Sequence, residues 1–140
     1  TIQGTLVNTE FVFSNSVDGI KMKSEELHVK FILGLINSKL ISFYHKNTSA
    51  NAFKGTFPKV LLQDLRELPI VNPSSKSYHD EIVKLVTQLL TLNEELPTTT
   101  LETQKEQIQS RISYYENKIN DIVYELYGLT VEEIKIVENK

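Results

Sequence analysis

From the middle of the chain onward, the apolar positions fall into two helical seams. Ile82, Leu85, Leu89, Leu92 and Leu96 recur at alternating spacings of three and four, and after Pro97 and Thr98 so do Ile108, Ile112, Tyr115, Ile119, Ile122 and Leu126. Such spacing puts each set on one stripe of a helix, and the short connection between them predicts an antiparallel hairpin. Thr99 with Glu102 has the form of a capping box at the start of the second helix. Gly128 is the expected stop after about Tyr127. Thr130 with Glu133 then opens a short terminal helix, with Leu129 and Ile134 as its hydrophobic staple.

The first half reads differently. Thr5 to Phe13 is rich in β-branched and aromatic residues and runs into Ser14-Asn15-Ser16, which predicts one or two short strands. Asp18-Gly19 reads as a turn before another short strand at Ile20 to Met22. A helix is expected from Ser24 as N-cap to about Tyr44, with Glu25 and Glu26 favoured by the dipole in its first turn. Its apolar residues wind round most of the cylinder, so it should be buried, with a sheet on one side and either the later helices or chain absent from this sequence on the other. From His45 to Pro58 the periodicity disappears, and so long an aperiodic stretch in a small domain is usually functional or disordered. Leu61 to Arg66 predicts a helical turn. Leu68-Pro69-Ile70-Val71 predicts an edge strand, because proline cannot donate to a ladder. The expected fold is therefore α+β and mostly helical: a small sheet with a buried helix, plus an antiparallel, coiled-coil-like hairpin. Asn72-Pro73-Ser74-Ser75 separates a small α/β portion, residues 1–72, from the hairpin and terminal helix, residues 73–140.

Composition narrows the class. One domain's worth of chain (140 residues) contains no cysteine, which excludes a disulfide framework and a thiolate metal site. No apolar run reaches the length of a membrane span, so no membrane partner is expected. A chain that opens on Thr1 reads as part of a longer protein. Its charge is unevenly spread: residues 1–66 carry +3 and residues 67–140 carry −6. Between Leu27 and Gln63 stand Lys30, Lys39, Lys46, Lys54 and Lys59 and not one acid. That pattern suits a polyanionic partner, although an ordinary solvated surface accounts for the same lysines.

The usual catalytic signatures are missing. There is no Gly-rich phosphate loop, no nucleophile elbow and no His-Glu-x-x-His. His28, His45 and His79 lack the spacing of a helical metal pair and read as structural or solvent-facing. Glu116-Asn117-Lys118 and Glu133-Ile134-Lys135 fall on helices without an upstream Pro-Asp partner. No catalytic residue and no metal ligand is expected.

Several strings, taken together, resemble one family. They are Leu33-Gly34-Leu35-Ile36-Asn37-Ser38-Lys39-Leu40 with Phe43-Tyr44, then Gly55-Thr56-Phe57-Pro58-Lys59, then Asp64-Leu65-Arg66-Glu67-Leu68-Pro69-Ile70, and finally Val123 to Ile134. Their order over residues 25–137 resembles the TaqI-like C-terminal specificity domain, the target-recognition domain of adenine-N6 DNA methyltransferases and type II restriction–modification enzymes. It is also similar to half of a type I restriction specificity subunit. The chain departs from the pattern at Ala52-Phe53-Lys54, where relatives are often richer in glycine, and at Val71, where a second proline is common. The resemblance implies a sequence-specificity module that is not catalytic alone. Its partners would be double-stranded DNA and a methyltransferase domain or subunit of the parent enzyme, the target adenine being flipped into the catalytic pocket. S-adenosylmethionine would be the parent's cofactor, with none held by this fragment, and the setting would be the cytoplasm of a bacterium or archaeon.

The chemistry of the stretch from His45 to Lys59 agrees with that implication. Lys46, Lys54 and Lys59 can neutralise phosphates. Asn47 and Asn51 can pair bidentately with adenine, Thr48, Ser49 and Thr56 can donate or accept, and Gly55 permits close backbone approach. Phe57-Pro58 would most simply anchor the end of the stretch to the core, with base stacking as the alternative. Arginine, the commonest reader of guanine, is scarce (Arg66 and Arg111), which favours A·T-containing targets. The acidic hairpin is expected to serve as a spacer or docking arm, or to complete the domain's own core. The competing expectation is a helical protein–protein assembly module without direct DNA contact, in which the basic stretch is incidental.

Overall fold

The computed structural model describes residues 2–9, 12, 17–23, 26–49, 60, 62–73 and 75–139. Among them it forms six α-helices: α1 (Val29–Ile36), α2 (Lys39–Thr48), α3 (Leu62–Arg66), α4 (Lys76–Glu95), α5 (Glu102–Leu126) and α6 (Val131–Glu138), with a 3-10 turn at Leu96–Thr98 after α4. The helical character agrees with the sequence. The expected small sheet does not: no strand occurs among the described residues.

The hairpin forms along its predicted seams. Ile82, Leu85 and Leu92 of α4 and Ile112, Ile119 and Ile122 of α5 are buried. The Tyr78 hydroxyl at the start of α4 donates to Glu125 at the end of α5 (2.9 Å), as antiparallel helices require. At 1.5 Å per residue α5 is roughly 37 Å long. It stops where Gly128 adopts φ +65° and the Leu129 N–H reaches back to the Tyr124 carbonyl, a left-handed cap that suits a residue without Cβ. The capping box of α6 is complete: the Glu133 N–H donates to the Thr130 hydroxyl, and the Thr130 N–H to the Glu133 carboxylate. The box expected at Thr99 is not made. The Thr99 hydroxyl donates instead to the Glu95 carbonyl, closing the preceding helix, and α5 begins after Leu101 without a side-chain cap.

α1 lies against the hairpin. Phe31 and Leu35 share one core with Ile82, Leu85, Val86, Ile119, Ile122 and Val123. Gly34 permits this approach, since a Cβ there would lie 2.7 Å from Cγ2 of Ile82. A second cluster, Ile2, Ile36, Ile41 and Leu68, covers the other side of the α1–α2 pair in place of the expected sheet.

The single helix expected from Ser24 to Tyr44 is two helices. Ser24 lies outside the described residues, and the N-cap is His28, whose Nδ1 accepts from the Lys30 N–H. The break falls at Asn37-Ser38. The Asn37 side chain forks onto Gly4, with Oδ1 accepting from its N–H (2.7 Å) and Nδ2 donating to its carbonyl (3.0 Å). The Ser38 hydroxyl caps α2 by accepting from the Ile41 N–H. Among the described residues, the extended segment around Gly4 thus finds its hydrogen bonds on a side-chain amide rather than on a neighbouring strand. The Leu68 to Val71 segment does likewise: the Tyr127 hydroxyl donates to the Pro69 carbonyl (2.6 Å) and accepts from the Val71 N–H (3.3 Å). Backbone groups must be paired somewhere, and here two side chains take the role of a ladder.

Candidate nucleic-acid interface

α2 is pinned at one end and presents the other. At its start, the buried Asn120 of α5 accepts from the Lys39 N–H through Oδ1 (2.9 Å), adding a second cap to that of Ser38. The Lys39 ammonium pairs with Glu138 of α6 (3.1 Å), and the Tyr124 hydroxyl donates to the same carboxylate (3.4 Å). Burial, reinforced by the Glu138 charge, pushes the Tyr124 phenol up to about 12. Bonds from α5 and α6 therefore fix where α2 starts.

The far end carries the candidate contacts. Lys46, Asn47 and Thr48 form the last turn of α2 and are exposed, so the helix runs four residues beyond the expected Tyr44. Lys46 extends into solvent where the C-terminal dipole favours a cation. The Asn47 Nδ2 donates to the Phe43 carbonyl (2.7 Å) and the Thr48 hydroxyl to the Tyr44 carbonyl (2.8 Å), so both side chains lie folded along their own helix. For Asn47 to pair bidentately with adenine, that bond to Phe43 must open or be shared. Ser49 is buried at the C-cap, its N–H donating to the His45 carbonyl. Asn51, Lys54, Gly55, Thr56 and Lys59 lie outside the described residues, as does the Phe57-Pro58 anchor.

α3 supplies a neighbouring edge that the sequence did not single out. His45 is buried, and its Nε2 stands 3.3 Å from Oδ2 of Asp64. Tyr44, His45, Thr48, Ser49, Asp64, Glu67 and Leu68 line a small cleft here, with about 10 Å³ of free space. That is room for about one water molecule and none for a nucleobase. Arg66 at the end of α3 and Glu67 just beyond it are exposed, so the surface next to α2 mixes charges. Asp64 was visible only as part of the Asp-Leu-Arg-Glu-Leu-Pro string; its pairing with His45 depends on the turn of chain between them. His28 and His79 are spent elsewhere: the His28 N–H donates to Nε2 of His79, whose Nδ1 faces Asp80. Among the described residues, no three His, Asp or Glu side chains are grouped to hold a metal ion, and no helix is long and apolar enough to cross a membrane.

Comparison with known proteins bears on this arrangement. The family model of the TaqI-like C-terminal specificity domain matches residues 1–70, the half that contains α1, α2 and α3. A protein of Methanocaldococcus jannaschii, whose name describes a type II restriction enzyme and methyltransferase, is 39% identical over 97 residues. That match takes in 69% of this chain and only 7% of the relative, so the chain corresponds to a small part of that protein. No solved structure matches the chain. The helices α1, α2 and α3 lie in the stretch the family shares, and the chain belongs to the TaqI-like C-terminal specificity domain family.

Proposed function

We propose that this chain is the target-recognition module of a restriction–modification enzyme, binding duplex DNA and presenting it to a catalytic domain elsewhere in the parent protein for adenine methylation or cleavage. The observation that carries the proposal is the family match over residues 1–70, which spans the whole acid-free run from Leu27 to Gln63. The form of α2 supports it. A helix held at one end by bonds to α5 and α6 offers Lys46, Asn47 and Thr48 at the other, and a recognition element needs that combination of rigid support and exposed polar groups. On this reading the chain itself is not catalytic. S-adenosylmethionine belongs to the catalytic part, and no residue of this chain is assigned to it. The named relative, a restriction enzyme and methyltransferase of an archaeon, suits a cytoplasmic setting.

The competing reading, a helical assembly module, would use the seams. Ile82, Leu85, Ile112, Ile119 and Ile122 are buried within the chain, which favours the DNA-binding reading.

The test is salt-dependent binding of the full chain to a random-sequence duplex, followed by fluorescence anisotropy. Affinity on the order of 10⁻⁴ to 10⁻⁶ M is expected at physiological salt, as for non-specific binding. Replacing Lys46, Lys54 and Lys59 together by Ala should weaken binding and lower the slope of log K against log salt by about one for each phosphate no longer neutralised. Unchanged affinity and slope would overturn the proposal.

A further inference from the structure

The connection that leaves α2 at Ser49 and reaches α3 at Leu62 is closed at its base by two side chains. His45 sits in the last turn of α2 and Asp64 in the first turn of α3, with Nε2 and Oδ2 3.3 Å apart and the side chains only 9% and 11% exposed. Leu68 and Tyr44 line the same cleft beside Thr48, Ser49 and Glu67. A buried ionisable pair is weak evidence for stability, because well-packed apolar residues often serve as well; what it adds is a defined geometry between two elements. Here the geometry it defines is that of the candidate recognition edge. The His45 carbonyl accepts from the Ser49 N–H, so the turn bearing Lys46, Asn47 and Thr48 is tied to the same residue that holds α3.

Resting on the DNA-binding reading above, the geometry points to His45 and Asp64 as positioning residues for duplex recognition. Nearly withdrawn from solvent, they do not touch DNA. They set the angle between the last turn of α2 and α3, and with it both ends of the connection that carries Asn51, Lys54, Gly55, Thr56 and Lys59. Base readout depends on that angle, whereas phosphate neutralisation tolerates its loss. Removing the clasp therefore reduces selectivity and leaves phosphate neutralisation as it was.

The experiment uses the full chain and a duplex library with a random core, selected at low salt (about 50 mM). Wild type is expected to enrich a preferred sequence. His45→Leu should lower the ratio of affinities for the enriched and random duplexes by about tenfold or more, the scale of one misread base pair. The salt slope and the active fraction, measured by stoichiometric titration, should stay at the wild-type values. His45→Gln, whose amide can still donate to Asp64, should keep the ratio within about threefold of wild type. Asp64→Asn, nearly isosteric, provides the same comparison if His45→Leu fails to fold. The inference is overturned if His45→Leu keeps the ratio, if Gln fails as badly as Leu, or if the salt slope changes with the ratio. Failure of wild type to bind any duplex overturns the DNA-binding reading and this inference with it; retained selectivity in His45→Leu beside lost binding in the lysine variant overturns this inference alone.

Discussion

The two halves of the chain satisfy their backbones in different ways. In the hairpin and α6, carbonyls and N–H groups are paired within helices, and the ends are closed by neighbours in sequence such as Thr130 with Glu133. In the first half, two extended segments have no ladder among the described residues, and single distant side chains reach their backbones, Asn37 for Gly4 and Tyr127 for Pro69 and Val71. The difference teaches where the molecule is vulnerable. A helix spreads its pairing over many bonds, whereas in each of these segments one side chain makes the long-range hydrogen bonds, beside the burial of Ile2 and Leu68.

Phe31→Ala should have the largest effect, about 3–5 kcal/mol, because it empties the core that both halves share. Urea unfolding followed by circular dichroism should then show both halves melting in one transition at lower denaturant. Separate transitions would break the comparison at its root. Tyr127→Phe removes the hydroxyl that serves two backbone groups and should cost about 2 kcal/mol. Hydrogen exchange at Val71 should accelerate while amides in the middle of α5 keep their protection relative to the global stability. Burial raises the Tyr127 phenol above its usual value, with the Val71 N–H partly opposing.

Asn37→Ala should cost about 1 kcal/mol and expose the Gly4 N–H to exchange. The smallest change belongs to the locally paired half. Thr130→Ala should cost somewhat under 1 kcal/mol, since only one cap of α6 is lost. The same box has a pH signature. The Thr130 N–H bond holds the Glu133 carboxyl below its usual range. A group whose folded value is depressed stabilises above its unfolded value and loses that contribution as pH falls through the folded one. Stability measured across the acid range should therefore decline less steeply in Glu133→Gln than in wild type; identical profiles would show that the box contributes nothing.

The parts of the fold legible in sequence are those in which cause and effect sit within a turn or two. The seams at Ile82 to Leu92 and Ile112 to Ile122, the stop at Gly128 and the α6 cap all form where spacing and capping residues predict them. The Thr99 box shows the limit even at short range, because α5 starts only after Leu101, two residues later than the box requires, and the Thr99 hydroxyl turns back to the Glu95 carbonyl. Strand character in the first half rests on residue type. That says only that a segment fits a pleated, half-buried surface; a neighbour must still supply the ladder. At the candidate interface, Lys46, Asn47 and Thr48 are exposed and Ser49 is buried. The bonds that fold Asn47 and Thr48 onto their helix, and the His45–Asp64 clasp, leave no signature in the string of letters.

Periodicity and local capping were enough to specify a helical hairpin with a buried helix against it, since burial of a stripe follows from spacing alone. The break between α1 and α2, the ladder-free extended segments and the direction in which α2 points were settled by folding. Each depends on a side chain brought from far along the chain: 33 residues for Gly4 and Asn37, 58 for Pro69 and Tyr127, 81 for Lys39 and Asn120. Pairings at such separation exist only once the core has closed, and the lysine-bearing end of α2 takes its orientation from them.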